Sequence, residues 1–288
     1  MFFNQVDFHN LHVCLYSCLF QNEIHLYLGA NHCWFADGYD KLKPYGFPIY
    51  GAIDGFSRRI IWLNITRSNN HPLVPAYFYK KASEELKLIP ALLQTDCGTE
   101  TGLMAGMQCA LHQNSEAHRF VKSVTNQRIE NWWSYLRRHY SSWVIQFFRD
   151  LIDAGYFKLG HEFYMECSWY VFKWLIQRDL DENRALWNSH YIRKSQPNTI
   201  GGIPNDLFFL PERCGFYECG TTVTTTDFDR ILGNFPLESD AKDRINNSDS
   251  NLIEYFDYIV SMEGMQYPPR NWLDGRNMFV TIIRRSGY

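Results

Sequence analysis

The chain has 288 residues, a formal net charge of −3, and a composition that is 45% hydrophobic and 17% aromatic. That is enough apolar surface for a real core in one large domain, or a medium domain with extensions, and it excludes a disordered tail. No run approaches the ~18–20 apolar residues of a membrane span, so no membrane partner is expected.

The apolar N-terminal piece "LHVCLYSCLF" is interrupted by His12 and followed by Glu23. It lacks the basic stretch that opens a secretory signal, so the protein is expected not to be secreted. His9, His12, Cys14, Cys18, His25, His32 and Cys33 crowd this end and invite a zinc reading, but no spacing among them has the usual paired-ligand form. The eight cysteines are scattered without CxxC pairs, which points to reduced thiols and a nuclear or cytoplasmic setting.

From 31 to 96 the pattern is strand-like. "NHCWFADGY" is a short aromatic run reaching Asp37, and "YGFPIYGAIDGFSRRIIWLNIT" reads as two strands joined by a tight turn at Asp54-Gly55. "VPAYFYKKASEEL" (74–86) suits a helix with Pro75 in its first turn, and "IPALLQTD" is a buried strand ending at Asp96. Thr99 is placed to cap the helix that follows, and "EAHRFV" offers one more short strand.

A long helical stretch starts at Asn126, with Ile129, Trp133, Leu136 and Tyr140 on one stripe. Another helix covers about 162–190. The residues between 119 and 149 hold six bases against Glu130 alone, a net +5, a charge asymmetry suited to a polyanion-binding face. Residues 211–264 hold eleven acids against four bases, a net −7, and their Thr-, Asn- and Ser-rich tracts read as extension and linker. The order of elements implies a mixed sheet flanked by helices, an α/β domain over about 31–210. The domain reading is thus a short segment 1–30, a core 31–210 and an acidic C-terminal extension 211–288.

Three carboxylates stand out. Enzymes that transfer phosphoryl groups hold divalent ions with hard carboxylate oxygens at the ends of adjacent elements. Asp96 ends a buried strand, Asp37 ends or lies within the first one, immediately before Gly38, and Glu130 sits one turn into the long helix. Each also has a plainer reading, Asp37 and Asp96 as turn formers and Glu130 as an acid complementing a helix N-terminus. Asp54 is assigned to the hairpin turn. Asp40, three positions after Asp37, would fall on the opposite face of a strand and outside the cluster.

"WFADGYDKL", "GAIDGFSRRIIWL", "LLQTDCGTETG" and "VTNQRIENWWSYLRR", in that order, resemble the core of a retroviral-type integrase, and more closely the integrase-core proteins of transposable-element descent in animal genomes. The family carries D…D…E with its last two acids about 35 residues apart, and here Asp96 and Glu130 are 34 apart (130 − 96). Its W-x-x-D pattern is met by Trp34 to Asp37, and its T-D-x-G pattern by Thr95 to Gly98. Downstream, "WNSHYIR" and "GGIPNDLF" resemble the short motifs that close this core.

The resemblance implies a ribonuclease-H-like fold, metal-dependent hydrolysis and strand transfer on DNA, and a homo-oligomer. Asp37, Asp96 and Glu130 would be the catalytic acids, holding one or two Mg²⁺ or Mn²⁺ ions. Asn126, Gln127 and Arg128 precede Glu130, and Lys122, Arg137 and Arg138 lie nearby, all expected to face DNA. Departures from the family also set expectations. Thirty leading residues are too few for the usual zinc or helix-turn-helix module, which suggests a truncated start, and 211–264 is acidic where a DNA-binding extension would be basic. A domesticated relative, catalytically silent and binding nucleic acid or protein, is the alternative, and a nuclease that cuts without joining is a third reading.

Overall fold

The computed structural model describes residues 28–121, 126–194 and 200–287. The histidines and cysteines from His9 to His25 and Lys122, singled out above, lie outside the described residues.

The centre is a five-stranded sheet. After the two-residue strand β1 (Gly29–Ala30) come β2 (Cys33–Tyr39), β3 (Ile49–Asp54) and β4 (Ile60–Ile65), which pair antiparallel in sequence. Helix α1 (Leu73–Leu86) and the short β5 (Leu88–Ile89) return the chain to β6 (Leu92–Asp96), which lies parallel to β2 on its other side. Helix α2 (Gly102–His112) then carries it to β7 (His118–Val121), parallel to β6. The strand order is β4-β3-β2-β6-β7. Antiparallel hairpins on one side of a central strand and parallel crossovers on the other make a mixed sheet with helices on both faces, the ribonuclease-H-like arrangement expected from the motifs.

Because both faces are covered, the strands are continuous apolar runs rather than alternating ones. Neighbouring side chains still point to opposite faces. Phe35, Ile49, Ile53 and Leu63 join one core with Trp133, Phe148, Trp169 and Phe172. Trp34, Ala36, Tyr50 and Trp62 join the other with Phe78, Tyr79 and Met104.

The long helical stretch forms as α3 (Gln127–Leu136), a π-helical turn (Arg137–Ser141) and α4 (Ser142–Asp153). Its expected stripe is buried: Ile129, Trp133, Leu136 and Tyr140 are at most 7% exposed. Helix α5 (Glu162–Ser189) crosses behind β4, and α6 (Pro204–Phe209) follows with Pro204 in its first turn.

Three local expectations are corrected. The β3–β4 connection is not a two-residue turn: residues 55–59 separate the strands, and Asp54 accepts from the Ser57 N–H and hydroxyl, both at 2.7 Å, and from the Asn31 N–H at 2.9 Å. Thr99 does not cap α2. Residues Thr99–Thr101 form a 3-10 turn instead, closed by the Thr101 hydroxyl donating to the Gly98 carbonyl at 2.8 Å.

Most of the tract read as linker is ordered helix. After β8 (Tyr217–Glu218) and β9 (Thr221–Thr222), which pair with β1 and β5, come α7 (Thr225–Leu232), α8 (Leu237–Asn246), α9 (Ser250–Met262) and α10 (Trp272–Arg285). Leu237, Ala241 and Ile245 recur every fourth residue and make a buried stripe on α8, with the acids on its outer face. Phe228, Leu237 and Ala241 enter one core, while Phe256, Phe279 and Ile282 enter the other against α5. The acidic residues 211–264 thus belong to a clasp over both layers.

Candidate functional site

Asp37 sits near the C-terminal end of β2, opposite Gly51 on β3. A Cβ at Gly51 would come within 2.8 Å of the Trp133 ring, so the missing side chain is what lets the indole lie across β3. From there Trp133 Nε1 donates to Asp37 Oδ2 at 2.9 Å, and the Gly38 N–H donates to Oδ1 at 2.8 Å. Both oxygens of Asp37 are therefore held by neutral donors.

The β2–β6 ladder runs to the pair Ala36–Thr95. One further residue along two parallel strands brings Asp37 beside Asp96, where β6 stops. Glu130, in the first turn of α3, is exposed. The three carboxylates act on one another: burial, opposed by the Trp133 hydrogen bond, and the charges of Asp96 and Glu130 push the Asp37 carboxyl up to about 7. Tyr50, missed by sequence reasoning, lies under the same group. Its buried hydroxyl has no hydrogen-bond partner among the described residues, and burial and the charges of Asp37, Asp96 and Glu100 push the phenol well above its usual range. Nothing in the apolar run around Tyr50 signals this, since the sheet alone brings it there.

Asp37 and Glu130 line one open cleft of about 470 Å³ with Asp40, Lys41, Trp133, Ser134, Arg137 and Arg138. Asp40 also lines this cleft, beyond the end of β2 at Tyr39. It is held by Asn69 Nδ2 at 2.6 Å and Lys43 Nζ at 3.0 Å. Gly38 leaves room for that Asn69 amide, which a Cβ would meet at 2.8 Å. Arg137 and Arg138, in the π-turn, are exposed at the cleft wall. Gln127 is exposed and Arg128 half-buried at the start of α3, whereas Asn126 is 1% exposed and its amide has no hydrogen-bond partner among the described residues.

Three carboxylates with oxygen donors only are the right chemistry for a hard divalent cation, and their mutual repulsion at Asp37 is what such a charge would relieve. As the side chains stand, no three His, Cys, Asp or Glu groups among the described residues converge closely enough to hold a metal ion. Glu130 is exposed, while the two parallel strands place Asp37 and Asp96 side by side.

The fold and these acids define a ribonuclease-H-like core with an acidic site at the carboxyl ends of its parallel strands. The model of the integrase core domain matches residues 25–210, and the chain belongs to that family. Among solved structures, it is similar to the HTLV-2 integrase catalytic core domain in complex with magnesium. For the trimeric form the identity is 16%, over 63% of this chain and 98% of that one, with a TM-score of 0.37. For the dimeric form it is 19%, over 64% and 99%, with a TM-score of 0.35. No curated protein matches the chain.

Proposed function

We propose that this chain is a DNA integrase-type catalytic core that hydrolyses and joins phosphodiesters with Mg²⁺ or Mn²⁺. The observation that carries this reading is the register of two parallel strands that brings Asp37 beside Asp96, with Glu130 in the first turn of α3. Asp37, Asp96 and Glu130 would hold one or two ions. When bound, the cation supplies positive charge to the phosphate and makes an oxygen nucleophile easier to deprotonate.

The chain's own residues do the rest. Trp133 and the Gly38 N–H fix the Asp37 carboxylate, which restricts its rotation before substrate arrives. Arg137 and Arg138 at the cleft wall, with Gln127 and Arg128 at the start of α3, face the sugar-phosphate backbone. Asn126, buried at the helix start, serves that stretch from beneath. Association into dimers or larger assemblies and a nuclear site of action accompany this reading.

One observation favours the catalytically silent alternative. Both Asp37 oxygens are satisfied by protein donors and Glu130 is turned outward, an arrangement that is stable without a metal.

The test is a strand-transfer assay on a pre-branched DNA substrate with Mn²⁺ or Mg²⁺, comparing wild type with Asp37→Asn, Asp96→Asn and Glu130→Gln. Joining that all three substitutions abolish supports the catalytic core. Cutting without joining indicates a nuclease. A folded, DNA-binding protein with no chemistry indicates the silent relative.

A further inference from the structure

The stretch "WFADGYDKL" brings Asp37 to the carboxylate cleft and, four residues on, Lys41. Lys41 stands just beyond the end of β2 and lines the same cleft as Asp37 and Glu130, so a strand seated over those acids passes beside it. It comes from a different chain segment than Arg137 and Arg138, which reach the cleft from the π-turn after α3.

An exposed lysine is ordinarily a solvated charge on a flexible stem, and Lys41 is exposed. Its backbone, however, is held on both sides. Asp40 before it accepts from Asn69 Nδ2 at 2.6 Å and from Lys43 Nζ at 3.0 Å. Leu42 after it is fully buried, and its carbonyl accepts from the Tyr45 and Phe47 N–H groups, each at 3.1 Å. The Lys43 N–H closes the turn onto the Asp40 carbonyl, also at 3.1 Å. Tyr45 stacks on Phe148 of α4 at 4.8 Å, and Phe47 on Trp169 of α5 at 5.5 Å, which fastens the loop to the core. Only the Lys41 side chain is left to order, so a contact through it has a small entropy cost.

The pairing of the neighbouring charges decides what Lys41 can bind. Asp40, the acid next to it in sequence, is already engaged by Lys43 and Asn69. Among the described residues Lys41, Arg137 and Arg138 form no ion pair. The cleft therefore combines acids suited to a divalent cation with bases that have no acid of their own. Its volume of about 470 Å³ equals roughly fifteen waters at ~30 Å³ each, more than one phosphate group fills. A ligand matching this layout carries successive anions, one over the acids and their cation and others beside the bases. A sugar-phosphate backbone does so, and a lysine ammonium binds phosphate as a point charge without demanding one fixed geometry.

We propose that Lys41 binds the backbone phosphate next to the scissile one on the DNA strand in the carboxylate cleft. This contact rests on the reading of the chain as a DNA-acting core. Lys41 is a positioning residue: it holds the strand while the acids face the reacting phosphate.

The test is fluorescence-anisotropy binding of a labelled pre-branched DNA to the full chain over a KCl series. Ca²⁺ at fixed concentration replaces Mg²⁺, so that the carboxylates are neutralised by an ion of looser coordination geometry. Each neutralised phosphate contributes about −0.9 to the slope of log K against log salt on duplex DNA. Lys41→Gln and Lys41→Ala are each expected to lose about one such increment and to bind about tenfold more weakly at low salt, whatever sequence flanks the branch. Both should keep the wild-type urea midpoint, because the side chain is exposed. Lys41→Arg keeps the charge and is expected to restore the slope. Lys81→Gln, an exposed lysine of α1 outside the cleft, should bind as wild type.

A wild-type slope in the two folded neutral variants overturns the proposal. An equal loss in Lys81→Gln overturns it as well, since overall charge would then explain the effect, and so does a Lys41→Arg that binds no better than Lys41→Gln. A wild type that binds no DNA removes this contact and the functional reading together. Strand joining by wild type, with unchanged slopes in the Lys41 variants, removes the contact and leaves the catalytic reading standing. The expected slopes without joining do the reverse.

Discussion

Trp133 Nε1 donates to Asp37 Oδ2 at 2.9 Å across the bare Cα of Gly51. Trp133 lies three residues after Glu130 on α3, so the contact ties the helix carrying one candidate ligand to the strand carrying another. It also opposes the rise of the Asp37 pKa, which burial and neighbouring charge bring to about 7. Two substitutions separate its electrostatic role from its packing role.

Trp133→Phe keeps an aromatic ring in the core but deletes the donor. The Asp37 carboxyl then rises further above its ordinary value, because a hydrogen bond to the charged form has gone. Cation binding needs the ionised carboxylate, so Mn²⁺ affinity should strengthen with pH through the region near 7 in wild type, and the whole curve should move to higher pH in the variant. Calorimetric Mn²⁺ titrations on either side of neutrality check this. Superimposable curves would mean that the indole does not act on the carboxylate.

Gly51→Ala tests the room beneath the indole. The new methyl meets the Trp133 ring at 2.8 Å and Leu63 Cδ1 at 3.3 Å, both in a packed core. Overpacking of this kind costs about 1–3 kcal/mol. The expected result is an earlier urea midpoint with an unchanged m-value, together with a shifted Trp133 indole resonance. A midpoint equal to wild type would show that the ring moves aside without cost.

Asp54 gives stability a pH dependence of known sign. Burial, partly offset by hydrogen bonds from Ser57 and Asn31, pushes its carboxyl up to about 6 from an ordinary value of 3.8. Between those two values the folded state binds more protons than the unfolded one, so stability falls as pH rises through this window and stays lower above it. A shift of about two units corresponds to on the order of 3 kcal/mol. Asp54→Asn should flatten this part of the profile in denaturant melts at stepped pH. An equally steep profile would place the titration elsewhere.

The C-terminal clasp predicts what truncation does. Removing residues 211–288 would uncover Tyr79, Phe163, Tyr170 and Phe172, which pack against Phe228, Phe256 and Phe279. The matched family region alone should therefore bind a hydrophobic dye and aggregate, and Phe256→Ala in the full chain should cost about 3–5 kcal/mol. A soluble, cooperatively melting fragment 25–210 would contradict this.

The sheet was legible because its strands are short apolar blocks stopped by Asp and Gly; Asp96 ends one such block, while Asp37 lies inside β2 and Glu130 on α3. Tyr50 and Asn69 carry no local signal, since they reach the site only through β-sheet pairing and a loop. The five-residue connection after Asp54 was hidden by a dipeptide that suits a shorter turn, while Ser57 supplies the capping bonds. Helix α8 was the most recoverable miss: Leu237, Ala241 and Ile245 were in view, but acidic neighbours masked their period.

The pairings of β1 with β8 and of β5 with β9 join chain segments more than a hundred residues apart. Contacts so distant in sequence slow folding, because a long loop must close before they form. On the ribosome, the sheet and its acids would emerge well before the helices that cover their flanks. The nascent chain must hold exposed aromatic surface until residues 225–285 are made, which makes synthesis the stage at which this fold most needs a chaperone.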